Sequence, residues 1–438
     1  MRKMVSVGLS AVLAVSLLAG CGSKTETQTT TAAAAGGSKT TAADVKDGGA
    51  QEAENQEPVT ITFWDGNWNE EAFGPVKQAF EEKYPWITVE GEFQVDNGMS
   101  DKYTLALKNG TAPDVVACAL DWITTFGNAG LLAPLDEYLA KDNIDTSVYV
   151  EGAIDASTIN GSLYGIPFRS ETYVLFYNVD MLKEAGYDEP PKTWDEVLEV
   201  AAACTKDDKA GYGICGANFG NVSFQYITML RCMGGDILTD DNKASALDTE
   251  AAIQAAELYD QLKQYAPASF MENDNVANRT LFASGKVAMY LTGIYDAETI
   301  AQSNPDLNFA CAVVPTGEGK ERKTILGGWS VGISECSKNK DAAAKFVEFL
   351  TSTEIAAMYT NTFTGTGEPA ARFADFDPAI MDANKEALQY AKALPAVGSI
   401  VPIRQTIFDN LQLALAGSQD AKSAILDASD KVNELLAQ

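Results

Sequence analysis

Three short stretches set an acid or amide beside a large ring: Asp65-Gly-Asn67-Trp68, Asp121-Trp122 and Tyr295-Asp296. Gly327-Gly-Trp329 places a ring after paired glycines, and Arg169-Ser-Glu171 holds opposite charges two residues apart. Flat rings stack on C–H faces, while carboxylates, amides and guanidinium forks pair with hydroxyls. A sugar needs that mixture. Taken singly, each ring serves core packing as readily as a ligand, and a lone Arg–Glu pair is usually an edge ion pair. The recurrence of the pattern is what marks a site. A pocket built around hydroxyl partners also rejects analogues lacking them, because its own polar groups are left unpaired.

The elements between these stretches place them at strand ends. Val59–Phe63 alternates apolar and polar residues, as a half-buried strand does, and stops at the first acid-and-ring tip. A helix with Phe73, Val76 and Phe80 on one face follows. Trp86–Phe93 is a second strand, Asp101–Asn109 a helix, and Asp114–Ala119 a third strand ending at Asp121-Trp122. Strand, helix, strand, helix, strand implies an α/β fold with a largely parallel sheet, and ligands sit beyond the carboxyl ends of such strands.

Gly161–Asn178 is the pivot of the chain. It opens at the Asn160-Gly161 turn and reaches Pro167, which fixes φ. Arg169 and Glu171 then precede the apolar run Tyr173–Tyr177. We read it as the first crossing between two lobes, with both charges facing the cleft. A second α/β set follows. It has a capping box at Thr193-Trp-Asp-Glu196, helices over 224–233, 249–265 and 276–284, a strand Gly285–Tyr290 before Tyr295, and another over 309–314. The glycines of Leu326–Ile333 suit a second crossing. Helices over 341–350, 378–392, 405–416 and 420–436 complete the chain, and Trp64, Trp86 and Trp194 are expected in the core.

Arg2 and Lys3 precede the apolar run Met4–Ala19, too short to span a bilayer and suited to a signal-peptide core. It ends in Leu18-Ala19-Gly20-Cys21, which is similar to the lipobox of bacterial lipoproteins and implies cleavage before Cys21 and acylation of its thiol. From Gly22 to Glu57 there is no hydrophobic period, so this segment is expected to stay a tether reaching on the order of 30–35 Å. The remaining body is long enough for two or more domains.

The formal net charge of −29 repels polyanions and excludes nucleic acid as a partner. The absence of His removes Ser-His-Asp triads and His-based metal sites together. Six scattered cysteines besides Cys21 read as buried free thiols, with up to three disulfides as the alternative in an exported protein. Gly211-Tyr-Gly213-Ile-Cys-Gly216 matches the dinucleotide fingerprint but follows a polar loop, so it reads as a glycine-rich turn and strand. Asp65-x-Asn67-x-Asn69 fails as a calcium loop, with Glu70 where Gly is needed. No metal or cofactor is expected.

Several motifs, in order, resemble the extracellular solute-binding proteins of family 1, the maltose-binding-protein-like receptors of bacterial ABC importers. They are Thr62-Phe-Trp64, Ala112-Pro-Asp114, Gly130-Leu-Leu-Ala-Pro-Leu135, Tyr164-Gly-Ile-Pro167 through Asn178, and Pro191-Lys-Thr-Trp-Asp195. Gly285–Met289 with Gly293-Ile-Tyr295, Gly327-Gly-Trp329, and Ser337–Asp341 through Ser352 continue the series.

The resemblance implies a periplasmic-binding-protein-like type II fold, two α/β lobes joined by a hinge, closing over a carbohydrate without catalysis and docking on the permease subunits. The expected divisions are a signal peptide at 1–20, a tether at 21–58, a first lobe of 59–168 with 331–373, and a second of 169–330 with 374–438. It implies a monomer, lipid-anchored on the outer face of the cytoplasmic membrane and touching the membrane only through that lipid. Ligand contacts carry over to Asp65, Asn67, Trp68, Asp121, Trp122 and Glu171, with Tyr295 where relatives often have Trp, Trp329, and Arg404 in a late helix. Arg169 and Asp296 complete the set from the residue pattern. Two rivals stay open: a receptor for acidic sugars or other anions using Arg169, Arg372 and Arg404, and a surface-anchored glycosidase using Asp121 and Glu171.

Overall fold

The computed structural model describes residues 56–95 and 98–437, so the signal peptide, Cys21 and nearly all of the tether lie outside the described residues. β1 (Val59–Gly66) buries Ile61 and Phe63, and the helix Glu70–Lys83 after it buries Phe73, Val76 and Phe80. β2 (Ile87–Gln94), the helix Met99–Lys108, β3 (Val115–Ala119) and the helix Leu120–Asn128 follow. β4 (Leu132–Ala133), the small hairpin of β5 (Thr158–Ile159) and β6 (Ser162–Leu163), and β7 (Ile166–Thr172) lead to the crossing. Beyond it lie β8 (Val174–Asn178), β9 (Ala210–Gly213), β10 (Val287–Thr292) and β11 (Phe309–Ala312). β12 (Thr324–Ser334), β13 (Phe363–Thr364) and β14 (Ala391–Lys392) come last.

Two sheets result. The first runs β13-β7-β12-β3-β1-β2, with β4 and β14 on β12, and the second runs β11-β8-β10-β9. β1 pairs in parallel with β2 and β3, and β10 with β9. The expectation of a largely parallel sheet holds only for that part. β12 returns from the other lobe, enters the first sheet in the opposite direction, and runs antiparallel to both β3 and β7. Each sheet has its own core: Phe63, Phe80, Val116 and Phe346 in one, Leu175, Tyr212, Tyr259 and Ile407 in the other.

The crossing is one residue long. β7 belongs to the first sheet and β8 to the second, so the chain changes lobe at Tyr173, past the expected boundary at 168/169. The Thr324 hydroxyl donates to the Tyr173 carbonyl at 2.8 Å and stitches the outgoing strand to the returning one. Phe363, Ala370 and Phe373, counted above with the first lobe, pack with Phe176 and Phe282 of the second. Apolar spacing alone does not say which of two cores a segment joins.

Helix ends differ for local reasons. The helix expected from Phe224 opens at Phe219, capped by Asn218, whose side chain accepts the Gly220 and Asn221 N–H groups. The helix expected from Gln405 opens at Ile400, with Pro402 in the first turn, where its missing N–H breaks no intrahelical bond. The capping box at Thr193 and Glu196 is present. Trp64 is not in the core: it is half-buried, and its indole N–H donates to Glu92 at 3.0 Å. The six cysteines among the described residues are all free, and five of them are buried.

Gly328 makes the β7–β12 contact possible. Its φ is +138°, and a Cβ there would lie 2.2 Å from the Arg169 carbonyl oxygen. Gly328→Ala is therefore expected to destabilise the protein by about 2–4 kcal/mol in urea unfolding, whereas Gly285→Ala, at φ +69° with nothing within 4 Å, should lose only about 1 kcal/mol.

Candidate functional site

At the end of β1 the chain tightens into the 3₁₀ turn Asn67–Asn69. Asp65 holds that turn. One of its oxygens accepts the Gly66 N–H at 2.7 Å, and the other accepts from Asn69 Nδ2 at 2.8 Å and the Tyr359 hydroxyl at 2.6 Å. It faces inward with Ile61 and Phe63, because side chains alternate along a strand and β1 continues past it. It does not line the cleft. That corrects its placement among the ligand contacts: it supports the tip from behind. Gly66 lets Trp68 fold back over the backbone, since a Cβ there would fall 2.1 Å from the indole ring.

Trp68 meets Trp329 edge-on at 5.0 Å between ring centroids, and Trp329 meets Trp122 edge-on at 5.4 Å. Residues from the turn after β1, from β12 and from the helix after β3 thus form one aromatic wall, with exposed Asn67 at its rim. Asp121, in the first turn of the helix Leu120–Asn128, pairs with Arg404 of the helix Ile400–Leu415 through Oδ2 and Nη1. Arg404 also donates to Ser223 Oγ at 3.1 Å and to the Gly220 carbonyl at 3.2 Å, and its guanidinium lies 4.2 Å from the Phe224 ring centre. This buried pair joins a helix of one lobe to two helices of the other.

Arg169 and Glu171 share a face of β7 because they are two residues apart. Arg169 donates from Nε at 2.8 Å and from Nη2 at 2.5 Å, both to Glu171 Oε2. Its Nη1 is buried without a partner, and the guanidinium sits 5.5 Å from the centre of the Tyr295 ring. The Tyr295 hydroxyl accepts from Asn275 Nδ2 at 2.9 Å, and burial pushes that phenol upward. Asp296 is fully engaged: Arg279 donates at 2.9 Å, Thr292 at 2.7 Å and Tyr290 at 3.0 Å. Burial raises its carboxyl despite those partners.

A cleft of about 1220 Å³ lies between the lobes, and its lining brings in every ligand contact expected from the sequence except Asp65. The sequence does not point to Phe219, Asn221, Asn275, Arg279 or Gln405, which also line it. The helix start at Asn218-Phe-Gly is the one local signal that could have found the first two. Arg372 is bound by Glu298 at 2.9 Å. With Arg169 and Arg404 also matched by acids, the anion-receptor rival loses its free positive charge. Among the described residues no cluster of His, Cys, Asp or Glu gathers to hold a metal ion.

Residues 65–357 match the model of a family described as bacterial extracellular solute-binding protein. The chain is similar to a maltooligosaccharide ABC transporter solute-binding lipoprotein of Streptococcus pneumoniae serotype 4, at 25% identity over 100% of this chain and 98% of that one. It is also similar to a galactooligosaccharide-binding protein of Bacillus subtilis, at 27% identity over 73% of this chain and 76% of that one. Among solved structures it matches an ABC transporter solute-binding protein of Thermotoga lettingae bound with α-D-tagatose, with TM-score 0.79 and 29% identity over 86% of this chain and 99% of that one.

Asp65 carries a testable pH signature. Burial lifts its carboxyl from 3.8 to about 6. The folded state therefore holds that proton more tightly than the unfolded chain, and the stability it contributes is full below about pH 4 and lost as pH rises through 6. Urea unfolding at pH 5 and pH 7 should show wild type losing about 1 kcal/mol more than Asp65→Asn over that interval.

Proposed function

The chain belongs to the bacterial extracellular solute-binding protein family, and on that premise we propose that it captures a sugar between its lobes for a carbohydrate ABC importer. The observation that carries the reading is the cleft itself. An aromatic wall of Trp68, Trp122 and Trp329 lines it beside the Arg169–Glu171 fork of the same sheet, and Tyr295 of the second lobe lines it too. Stacking on the rings and hydroxyl bonding to the fork on the first lobe, together with contact to Tyr295 on the second, would bridge the lobes, and a ligand shifts an open–closed balance only by binding the two states differently. A volume of about 1220 Å³ exceeds the roughly 300–1,000 Å³ of drug-sized sites, which supports an oligosaccharide. The names of the relatives point the same way.

On this reading the protein turns nothing over. Asp121 and Glu171, the carboxylates a glycosidase would use, are each tied to an arginine. It works outside the cytoplasm, as the family description implies. Among the described residues no helix is long and apolar enough to cross a membrane. A lipid anchor at Cys21 is part of the same proposal, supported by the basic start, the short apolar run and Leu18-Ala19-Gly20-Cys21. Two acyl chains hold where one does not, at about 0.8 kcal/mol per buried CH₂. The lobes would act as a monomer tethered near the permease.

Thermal shift against maltooligosaccharides, galactooligosaccharides and tagatose tests the capture. A bound sugar at a hundred times its Kd should add about 2.7 kcal/mol to stability, with no new reducing ends. Trp68→Ala should weaken binding about tenfold or more. Failure of every sugar to raise Tm would refute the reading. For the anchor, radiolabelled palmitate should enter the wild-type protein in cells and not Cys21→Ser.

A further inference from the structure

Four arginines line the cleft, and each is matched by a carboxylate that also lines it. Arg169 pairs with Glu171, Arg279 with Asp296, Arg372 with Glu298 and Arg404 with Asp121. Among the described residues no lysine lines the cleft. Three carboxylates are left over: Glu71 and Asp101 on the first lobe and Asp274 on the second. Glu71 and Asp101 stand in the first turns of their helices, and Asp274 caps a third by accepting the Ala277 N–H at 2.9 Å. The positive helix ends behind them offset part of each charge without cancelling it. The cleft therefore carries a negative field from both walls.

Deeper in, two of the matched carboxylates keep an oxygen in reserve. Arg404 takes Asp121 Oδ2, and Arg169 takes Glu171 Oε2 twice. Asp121 Oδ1 and Glu171 Oε1 lie outside those pairs, on side chains that line the cleft. Among the described residues Arg169 Nη1 is the one buried guanidinium donor in the cleft lacking an acceptor. A ligand must therefore bring donors to two carboxylate oxygens and one acceptor to a guanidinium. Hydroxyls do both and an ammonium supplies donors. A carboxylate is an acceptor only, and here it would meet other carboxylates.

We infer that the cleft sorts glycans by charge, taking neutral or amine-bearing oligosaccharides and rejecting those that carry carboxylates. This rests on the sugar-capturing reading and extends it to the class of sugar. Repulsion by the surplus carboxylates, with no donor brought to Asp121 Oδ1 or Glu171 Oε1, should weaken an acidic ligand about tenfold or more.

Titration calorimetry on maltotriose and on galactotriose, each beside its aldonic acid and its 1-amino-1-deoxyalditol, reads this directly. The acid should bind at least about tenfold more weakly than the neutral sugar, and the amine as tightly or more tightly. The acid-to-neutral ratio should narrow in 0.5 M NaCl, where the Debye length falls to a few ångströms. It should narrow again in the triple variant Glu71→Gln, Asp101→Asn, Asp274→Asn; being a ratio within one protein, it is insensitive to lost folding. An acid that matches or beats its neutral parent overturns the inference while leaving sugar capture intact. If none of the six ligands nor any sugar of the thermal-shift panel binds, the capture reading falls and takes the inference with it.

Discussion

The pairing of β7 with β12 is the constraint on which the rest of the molecule depends. Both strands lie in the first sheet, yet one leads out to the second lobe and the other returns from it. Register sets Gly327 opposite Glu171, Gly328 opposite Ser170 and Trp329 opposite Arg169. One ladder therefore positions the aromatic wall and the charged fork relative to each other. The first crossing is a single residue, Tyr173, and the Thr324 hydroxyl ties it to the returning strand, so the lobes are joined there by a short, hydrogen-bonded connection. Hinges of this kind absorb large dihedral changes in few residues.

Around that pivot the protein neutralises its own cations. Burying a lone guanidinium or carboxylate is costly, and pairing recovers the cost only when geometry and further hydrogen bonds are good. Arg404 meets that condition through Asp121, Ser223, Gly220 and the Phe224 ring. Arg169 meets it incompletely, with Nη1 unsatisfied. An unsatisfied donor beside a paired carboxylate makes a site selective, because an analogue without the matching oxygen leaves the donor unpaired. Asp296 is the opposite case: every oxygen is engaged, and it serves as a floor for Tyr295 and Arg279.

Much of this was legible in the chain. Alternation in Val59–Phe63, the 3.6-residue spacing of Phe73, Val76 and Phe80, and the capping box at Thr193 each depend on neighbours within a turn or two, so local pattern suffices. The recurring acid-and-ring tips were legible for the same reason: strand ends are where an α/β fold exposes side chains. Asp65 was the exception. Whether β1 stops at Phe63 or runs on to Gly66 decides whether that carboxylate faces ligand or core, and nothing in Trp64-Asp65-Gly66 distinguishes the two. The helix expected from Gln405 likewise opens earlier, at Ile400, with Pro402 in its first turn.

The amino-acid sequence by itself determined the elements, their α/β order, the acidic character of the chain and the residue types that converge on the cleft, because these follow from side-chain chemistry and short-range periodicity. Only the tertiary structure decided which carboxylate each arginine meets, which of two cores claims Phe363 and Phe373, and that Trp68, Trp122 and Trp329 form one wall. Those outcomes depend on contacts between residues hundreds of positions apart, such as Asp121 with Arg404 and Asp65 with Tyr359. No local pattern encodes them, since their free energy arises only when the two crossing strands bring separate segments into one space.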